Sequence, residues 1–187
     1  MKKTAIALAL ALGTTTAVQA SDAIDQQINQ YKAAMMDFGK QLRGELQAAM
    51  KEGGPPAAID VCHTRAPEIA AQVSDKHGVT VSRTSLKPRA HAPDAWETQV
   101  LEKFEEQKAA GKPVADIAYH EVVKVDGTDE LRFMKAIGTD KVCLACHGTD
   151  VDAKLKDKIV KLYPEDQAMG FKEGDIRGAF SISAKAP

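Results

Sequence analysis

The stretch Cys143-Leu144-Ala145-Cys146-His147-Gly148 constrains this chain more than any other. Two cysteines separated by two residues, with a histidine directly after the second, is the spacing that attaches a c-type haem. Two intervening residues let one short turn of backbone present both thiols to the two vinyl groups of one porphyrin. The adjacent imidazole then swings beneath the iron. A thioredoxin-like dithiol would follow a strand near the start of a βαβ unit, and no such pattern surrounds residue 143. A structural zinc site would need a second Cys/His pair at ligand spacing, and the third cysteine, Cys62, lies 81 residues upstream. A structural disulfide would leave the histidine without a role. The motif therefore predicts a single covalently bound haem c, attached through Cys143 and Cys146, with His147 as the proximal iron ligand.

The first twenty residues read as an export leader rather than as part of the fold. Lys2 and Lys3 form a basic start, Ala5 to Leu12 an apolar core, and Val18-Gln19-Ala20 a small-residue cleavage site. The apolar run is too short to cross a bilayer. The expectation is a signal peptide over 1–20 cut after Ala20, and one haem c-binding domain over 21–187 in the periplasm, where c-type haem is attached in bacteria. The 187 residues carry a net charge of only −1, which points away from nucleic acid and membrane surfaces, and no later apolar run is long enough to span a membrane. The cysteine count is odd: two thiols serve the haem and Cys62 is left over. A lone thiol in an oxidising compartment must be shielded or used.

Residues 23–51 place Ile24, Ile28, Tyr31, Met35, Phe38, Leu42, Leu46 and Met50 at spacings of three and four, the period of a long amphipathic helix. Gly53-Gly54-Pro55-Pro56 stops it. A second helix begins near Ala57 and puts Ile59, Cys62, Ala66 and Ile69 on one apolar face. Pro67 cannot donate to the carbonyl of His63, so a kink or restart is expected there; Gly78 ends the helix. Val79 to Ser82 is a short β-like run, followed by the basic loop Arg83-Thr84-Ser85-Leu86-Lys87-Pro88-Arg89. Pro93-Asp94 opens a third helix to about Ala110. Ile117 to Val125 and Leu131 to Ile137 alternate as two strands around a turn over Asp126 to Glu130, longer than a two-residue hairpin. A short helix carries Leu155, Ile159 and Leu162, and Ile176 to Ile182 closes the chain as a strand. That order predicts an α+β fold, with N-terminal and connecting helices packed on a small antiparallel sheet. Trp96, Tyr119 and Phe133 read as core or pocket wall.

The residues alone leave the distal iron ligand open among Met169, Met134, His91, His120 and Cys62, all of which can coordinate iron. The cations Arg83, Lys87 and Arg89 are candidates for binding haem propionates, which need cationic or hydrogen-bonding partners when buried.

Several stretches together carry a resemblance. Ala58 to Cys62, Ala66-Pro67-Glu68-Ile69-Ala70, Arg83 to Arg89, Ala92 to Glu97, Met134-Lys135-Ala136-Ile137, Cys143 to Gly148 and Gly174 to Ser181 resemble the monohaem c-type cytochrome-like family with a PAS-like fold, a domain of unknown function. Its members occur as free periplasmic proteins and as sensor segments of membrane kinases. The resemblance covers nearly all of the chain after the leader. It implies that iron is held by His147 and by a thiolate from the upstream helix, which is Cys62 here. The family usually has a longer Asn/Pro-containing loop where this chain runs Arg89-Ala90-His91-Ala92.

A thiolate is a strong anionic donor that favours ferric iron, so the expected function is low-potential electron transfer with an unidentified redox partner protein. The alternative is a haem-based redox or diatomic-gas sensor that acts through a separate partner, since no kinase or output segment is present. No distal acid–base pair is visible, so an enzyme is not expected.

Overall fold

The computed structural model describes residues 15–187, and most of the expected leader lies outside them. Helix α1 runs over Thr15–Asp60 but is broken at Gly54, whose φ of 66° no helix accommodates. Pro55 and Pro56 follow, and both can only begin a new helical segment, where no N–H is needed. The expected stop is therefore a sharp junction, with the next segment starting at once.

The chain then widens. Over Val61–Arg65 the backbone makes one π-helical turn before α2 (Ala66–His77), and the Ala66 N–H reaches back five residues to the Val61 carbonyl. Pro67 explains this. It has no N–H to offer the His63 carbonyl and its ring crowds the preceding turn, so the ladder opens by one residue instead of kinking. Cys62 sits inside that widened turn. α2 ends at Gly78, which takes the left-handed conformation (φ 63°) that makes glycine the usual residue there.

Four antiparallel strands follow in the order β1-β4-β3-β2: β1 Thr80–Thr84, β2 Ala118–Val125, β3 Thr128–Gly138 and β4 Ile176–Lys185. Arg83 and Thr84 belong to β1 rather than to the loop expected after Ser82. The β2–β3 turn is also tighter than its composition suggested. Val125 pairs with Thr128 across Asp126 (φ 49°) and Gly127 (φ 81°), because Asp-Gly tolerates the two positive φ values of a turn that matches strand twist.

Both faces of the sheet are covered. On one, Tyr31, Phe38 and Leu42 of α1 and Ile69 and Val73 of α2 pack on Val81, Leu131, Phe133 and Ile182. The Tyr31 hydroxyl donates to the Leu131 carbonyl at 3.0 Å inside this layer. On the other, α3 (Ala95–Ala109) seats Val100, Leu101 and Phe104 against Ile117, Met134, Ala136 and Ala179. Those three α3 side chains are at most 2% exposed; at about 1.5–3 kcal/mol each, they suffice to hold a helix whose other face is solvated. Its start is fixed by a capping box: Asp94 Oδ1 accepts from the Glu97 N–H at 2.7 Å and Glu97 Oε2 accepts from the Asp94 N–H at 3.0 Å. Trp96, Tyr119 and Phe133 are all core or edge-of-core residues. The α+β architecture is the one expected. Among the described residues, no helix is long and apolar enough to cross a membrane.

β3 ends in a bulge at Ile137/Gly138. The chain then passes through a 3-10 turn, Lys141–Cys143, into the four-residue helix α4 (Leu144–His147), and after Gly148 into α5 (Ala153–Leu162). α5 lays Leu155 and Ile159 on Ile59, forming a third apolar cluster beside the sheet.

Candidate functional site

A cleft of about 970 Å³, its open mouth included, lies between the π-helical turn, the end of β1, the loop after it and the Cys143–His147 segment. Cys62 and His147 both line it, as do Arg83, Lys87, Arg89 and His91. Of the seven residues expected to attach, ligate or contact the haem, Cys62, Arg83, Lys87, Arg89 and His147 thus meet at one cleft, and the other two, Cys143 and Cys146, belong to the same motif as His147. Cys146, like Cys62 and Met169, packs against the apolar cluster of Ile59, Leu155, Ile159 and Tyr163. Burial pushes the Cys146 thiol up, against the opposing charge of Arg89.

His147 is fixed from behind. Its Nδ1 lies 2.7 Å from the Ala168 carbonyl oxygen. A carbonyl can only accept, so Nδ1 carries the proton and Nε2 keeps its lone pair. Burial, followed by the positive charges of Arg177 and Arg89, drives the imidazole down to about 3. His147 is therefore a neutral donor at ordinary pH, the form in which a histidine ligates a metal.

The whole motif is fastened to segment 166–171. Phe171 N–H donates to the His147 carbonyl and Gly170 N–H to the Gly148 carbonyl, each at 2.9 Å. Arg89 closes the assembly. It pairs with Asp166 through Nε–Oδ1 at 2.8 Å and Nη2–Oδ2 at 3.2 Å, and its Nη2 also donates to the Cys146 carbonyl at 2.9 Å. Gly148 is required at its place, since a Cβ there would lie 2.5 Å from the Leu144 carbonyl oxygen.

The structure separates the other candidate ligands. Met134 is fully buried under α3, on the opposite face of the sheet, and His120 is exposed on the edge strand β2. Met169 touches the apolar cluster but not the cleft. Cys62 and His91 line the cleft; Cys62 is half-buried and His91 exposed. His63 turns away and packs edge-on against Tyr163, ring centroids 5.3 Å apart.

The three basic residues of the loop reading have different surroundings. Arg89 is engaged by Asp166 and backbone carbonyls. Lys87 Nζ lies 5.0 Å over the Phe171 ring and 3.5 Å from the Met169 carbonyl. Arg83 stacks 5.3 Å over Phe38. Sequence reasoning missed Arg177 and Asp166. Arg177 had a faint signal, a cation within the otherwise apolar run Ile176 to Ile182; Asp166 had none, because its importance comes from a partner 77 residues away.

A profile of the Tll0287-like family (Tll0287) matches residues 14–184. Among solved structures, the chain is similar to one described as the crystal structure of the cyanobacterial heme-protein Tll0287. The TM-score is 0.63 at 23% identity, over 87% of this chain and 96% of that one. No curated protein matches. With nearly its entire length matched, this chain belongs to the Tll0287-like family.

Proposed function

We propose that the protein binds a single haem c, attached through Cys143 and Cys146 and ligated by His147 and Cys62, and transfers electrons at low potential in the periplasm. The observation that carries this reading is the pairing of His147 with Ala168: it leaves a neutral imidazole with a free Nε2 on a cleft that Cys62 also lines. The structural relative is itself a heme-protein, which supports the cofactor. The donor set fits as well, with one neutral nitrogen, one thiol and two further thiols at attachment spacing.

Bound haem would supply a one-electron ferric/ferrous couple. The protein's part is to set that couple. The Ala168 carbonyl holds the His147 ring orientation and makes it a better donor. Cys62, as thiolate, would add a negative charge that favours the ferric state and lowers the potential. Arg89, through Asp166 and the Cys146 carbonyl, keeps the motif rigid so that little reorganises between oxidation states. The test is twofold. Denatured protein should retain haem on a peroxidase-stained gel, and the ferric optical and EPR spectra should be those of low-spin thiolate-ligated iron. A gel without haem ends the proposal.

One observation favours the alternative reading, a redox or diatomic-gas sensor working through a separate partner. Cys62 sits in the π-helical turn imposed by Pro67, where the backbone ladder is already opened. A backbone already opened there would give Cys62 room to leave the cleft wall without unwinding the helices on either side. Rapid binding of CO or NO by the reduced protein supports the sensor, and inertness supports the carrier.

A further inference from the structure

The chain has six arginines, and two of them stand in the cleft without an anion. Arg65, Arg89 and Arg132 each meet a carboxylate, and Arg43 is exposed. Arg83 at the end of β1 and Arg177 at the start of β4 form no ion pair and no side-chain hydrogen bond among the described residues, although both line the cleft. Arg177 Nε and the neighbouring Thr84 Oγ1 are buried with no hydrogen-bond partner among the described residues. Burial, and then the like charge of Arg177, pulls Arg83 down to about 10, and burial lowers Arg177 as well.

The backbone holds these groups together. Arg83 pairs with Phe180 and Thr84 with Ala179 in the β1–β4 ladder. At Gly178 the strands come so close that a Cβ would lie 2.2 Å from the Thr84 carbonyl oxygen. Two forked cations and a hydroxyl, desolvated and preorganised, make a receptor for oxyanions. A buried charge is normally paired, so the missing partner is a ligand group that brings two negative charges into the cleft.

We propose that Arg83, Arg177 and the Thr84 hydroxyl bind a pair of carboxylates and, resting on the haem reading above, that these are the two haem propionates. Lys87 and Arg89 are left outside this receptor. Arg89 is consumed by Asp166, and Lys87 is occupied by Phe171 and the Met169 carbonyl.

The test uses the holoprotein grown on δ-aminolevulinate that places carbon-13 in the propionate carboxyls, read by redox-difference infrared spectroscopy. The labelled carboxylate bands of the wild type should shift in Arg83→Leu and in Arg177→Leu, and should not move in the surface control Arg43→Leu. Arg83→Lys and Arg177→Lys keep the charge but lose the fork, and should move the bands part of the way. They serve in place of the leucine variants if those do not fold. Labelled bands that coincide in all variants overturn the assignment. So does a saturable signal from added carbon-13 acetate that the wild type shows and the Arg177 variants lose, since the receptor would then serve a free carboxylate. A denaturing gel without haem ends the haem reading itself, whereas haem retained with unmoved bands ends only the propionate assignment.

Discussion

Arg89 and Asp166 form a two-point ion pair whose side chains are only 10% and 1% exposed, and this pair rather than the motif's own short helix holds His147 in place. α4 is four residues long and has no side-chain cap, so it has little stability of its own. Its carbonyls at Cys146 and His147, and that of Gly148 just past it, are instead taken by Arg89, Phe171 and Gly170. Removing one partner of a buried pair leaves the other charge desolvated and alone, at about 3–5 kcal/mol. Arg89→Leu and Asp166→Asn should each lower the unfolding free energy read from a urea titration by an amount near that size, with a lower midpoint at unchanged slope, and broaden the spectrum of the haem proposed for the site. Arg89→Lys should recover only part of the loss, because an ammonium cannot make two parallel bonds. If Arg89→Leu unfolds at the wild-type urea concentration, the fastening lies elsewhere.

Gly148→Ala tests the same assembly by contact alone. The φ of Gly148 is −75°, which any residue adopts, so no backbone strain is involved. The added Cβ would meet the Leu144 carbonyl oxygen at 2.5 Å, and that oxygen is fixed by its bond from the Gly148 N–H at 2.9 Å. The backbone must open, at about 1–3 kcal/mol, and His147 moves with it. A lower melting temperature together with a shifted Soret band is expected. A stable variant with an unchanged spectrum would show that the turn has room the structure does not.

Much of this was legible in the residues. The 3.6-residue period of α1, the Asp94 cap, the Gly78 stop and the alternation of β2 and β3 are local signals, set within a few residues of where they act. The Cys143-Leu144-Ala145-Cys146-His147 spacing is local too. Less was legible where distant parts of the chain meet. Pro67 announced a disturbance, but whether the helix kinks or widens depends on what packs against it. Arg83, Lys87 and Arg89 read alike as loop cations, yet one stacks on Phe38, one leans on Phe171 and one is sealed against Asp166. Those differences come from partners on other elements, which spacing along the chain does not encode. Arg177 reads as one residue of a closing strand, and its place in the cleft follows only from the pairing of β4 with β1.

The helix pair that carries Cys62 should weaken in acid through one carboxylate. Asp37 on α1 accepts from Lys76 Nζ at 2.7 Å, from Gln41 Nε2 at 2.9 Å and bonds His77 Nε2 at 3.1 Å. The bond from Lys76, then those from Gln41 and His77, holds its carboxyl well below the usual carboxylate range. A depressed carboxylate adds stability that is fully present above its unfolded value, about 3.9, and that is lost as pH falls through the folded one. Asp37→Asn should therefore melt below the wild type at pH 6, and the two should converge as pH drops below about 4. High salt should narrow the difference at pH 6, since Lys76 is well exposed. A gap that persists unchanged at pH 3 would assign the effect to packing instead.

On the haem-binding function proposed for the cleft, Cys62 sets its redox chemistry. His91 also lines it, but lies exposed on a loop, whereas Cys62 is carried by a helical run whose Ile59 packs on Leu155 and Ile159 of α5. If Cys62 is the second iron ligand, Cys62→Ala removes an anionic donor and should raise the midpoint potential by about 100 mV or more, a modest part of the roughly 0.8 V range that axial ligands span. Cys62→Ser keeps the volume but offers a much weaker donor, so it should move the potential in the same direction. Both should also change the ferric spectrum, and haem should remain covalently attached because Cys143 and Cys146 are untouched. His91→Ala should leave potential and spectrum where they are. Potentiometric titration of the three variants separates the outcomes: a midpoint that moves with His91 and not with Cys62 would transfer the ligand role to the loop, and with it the prediction of a low potential would fall.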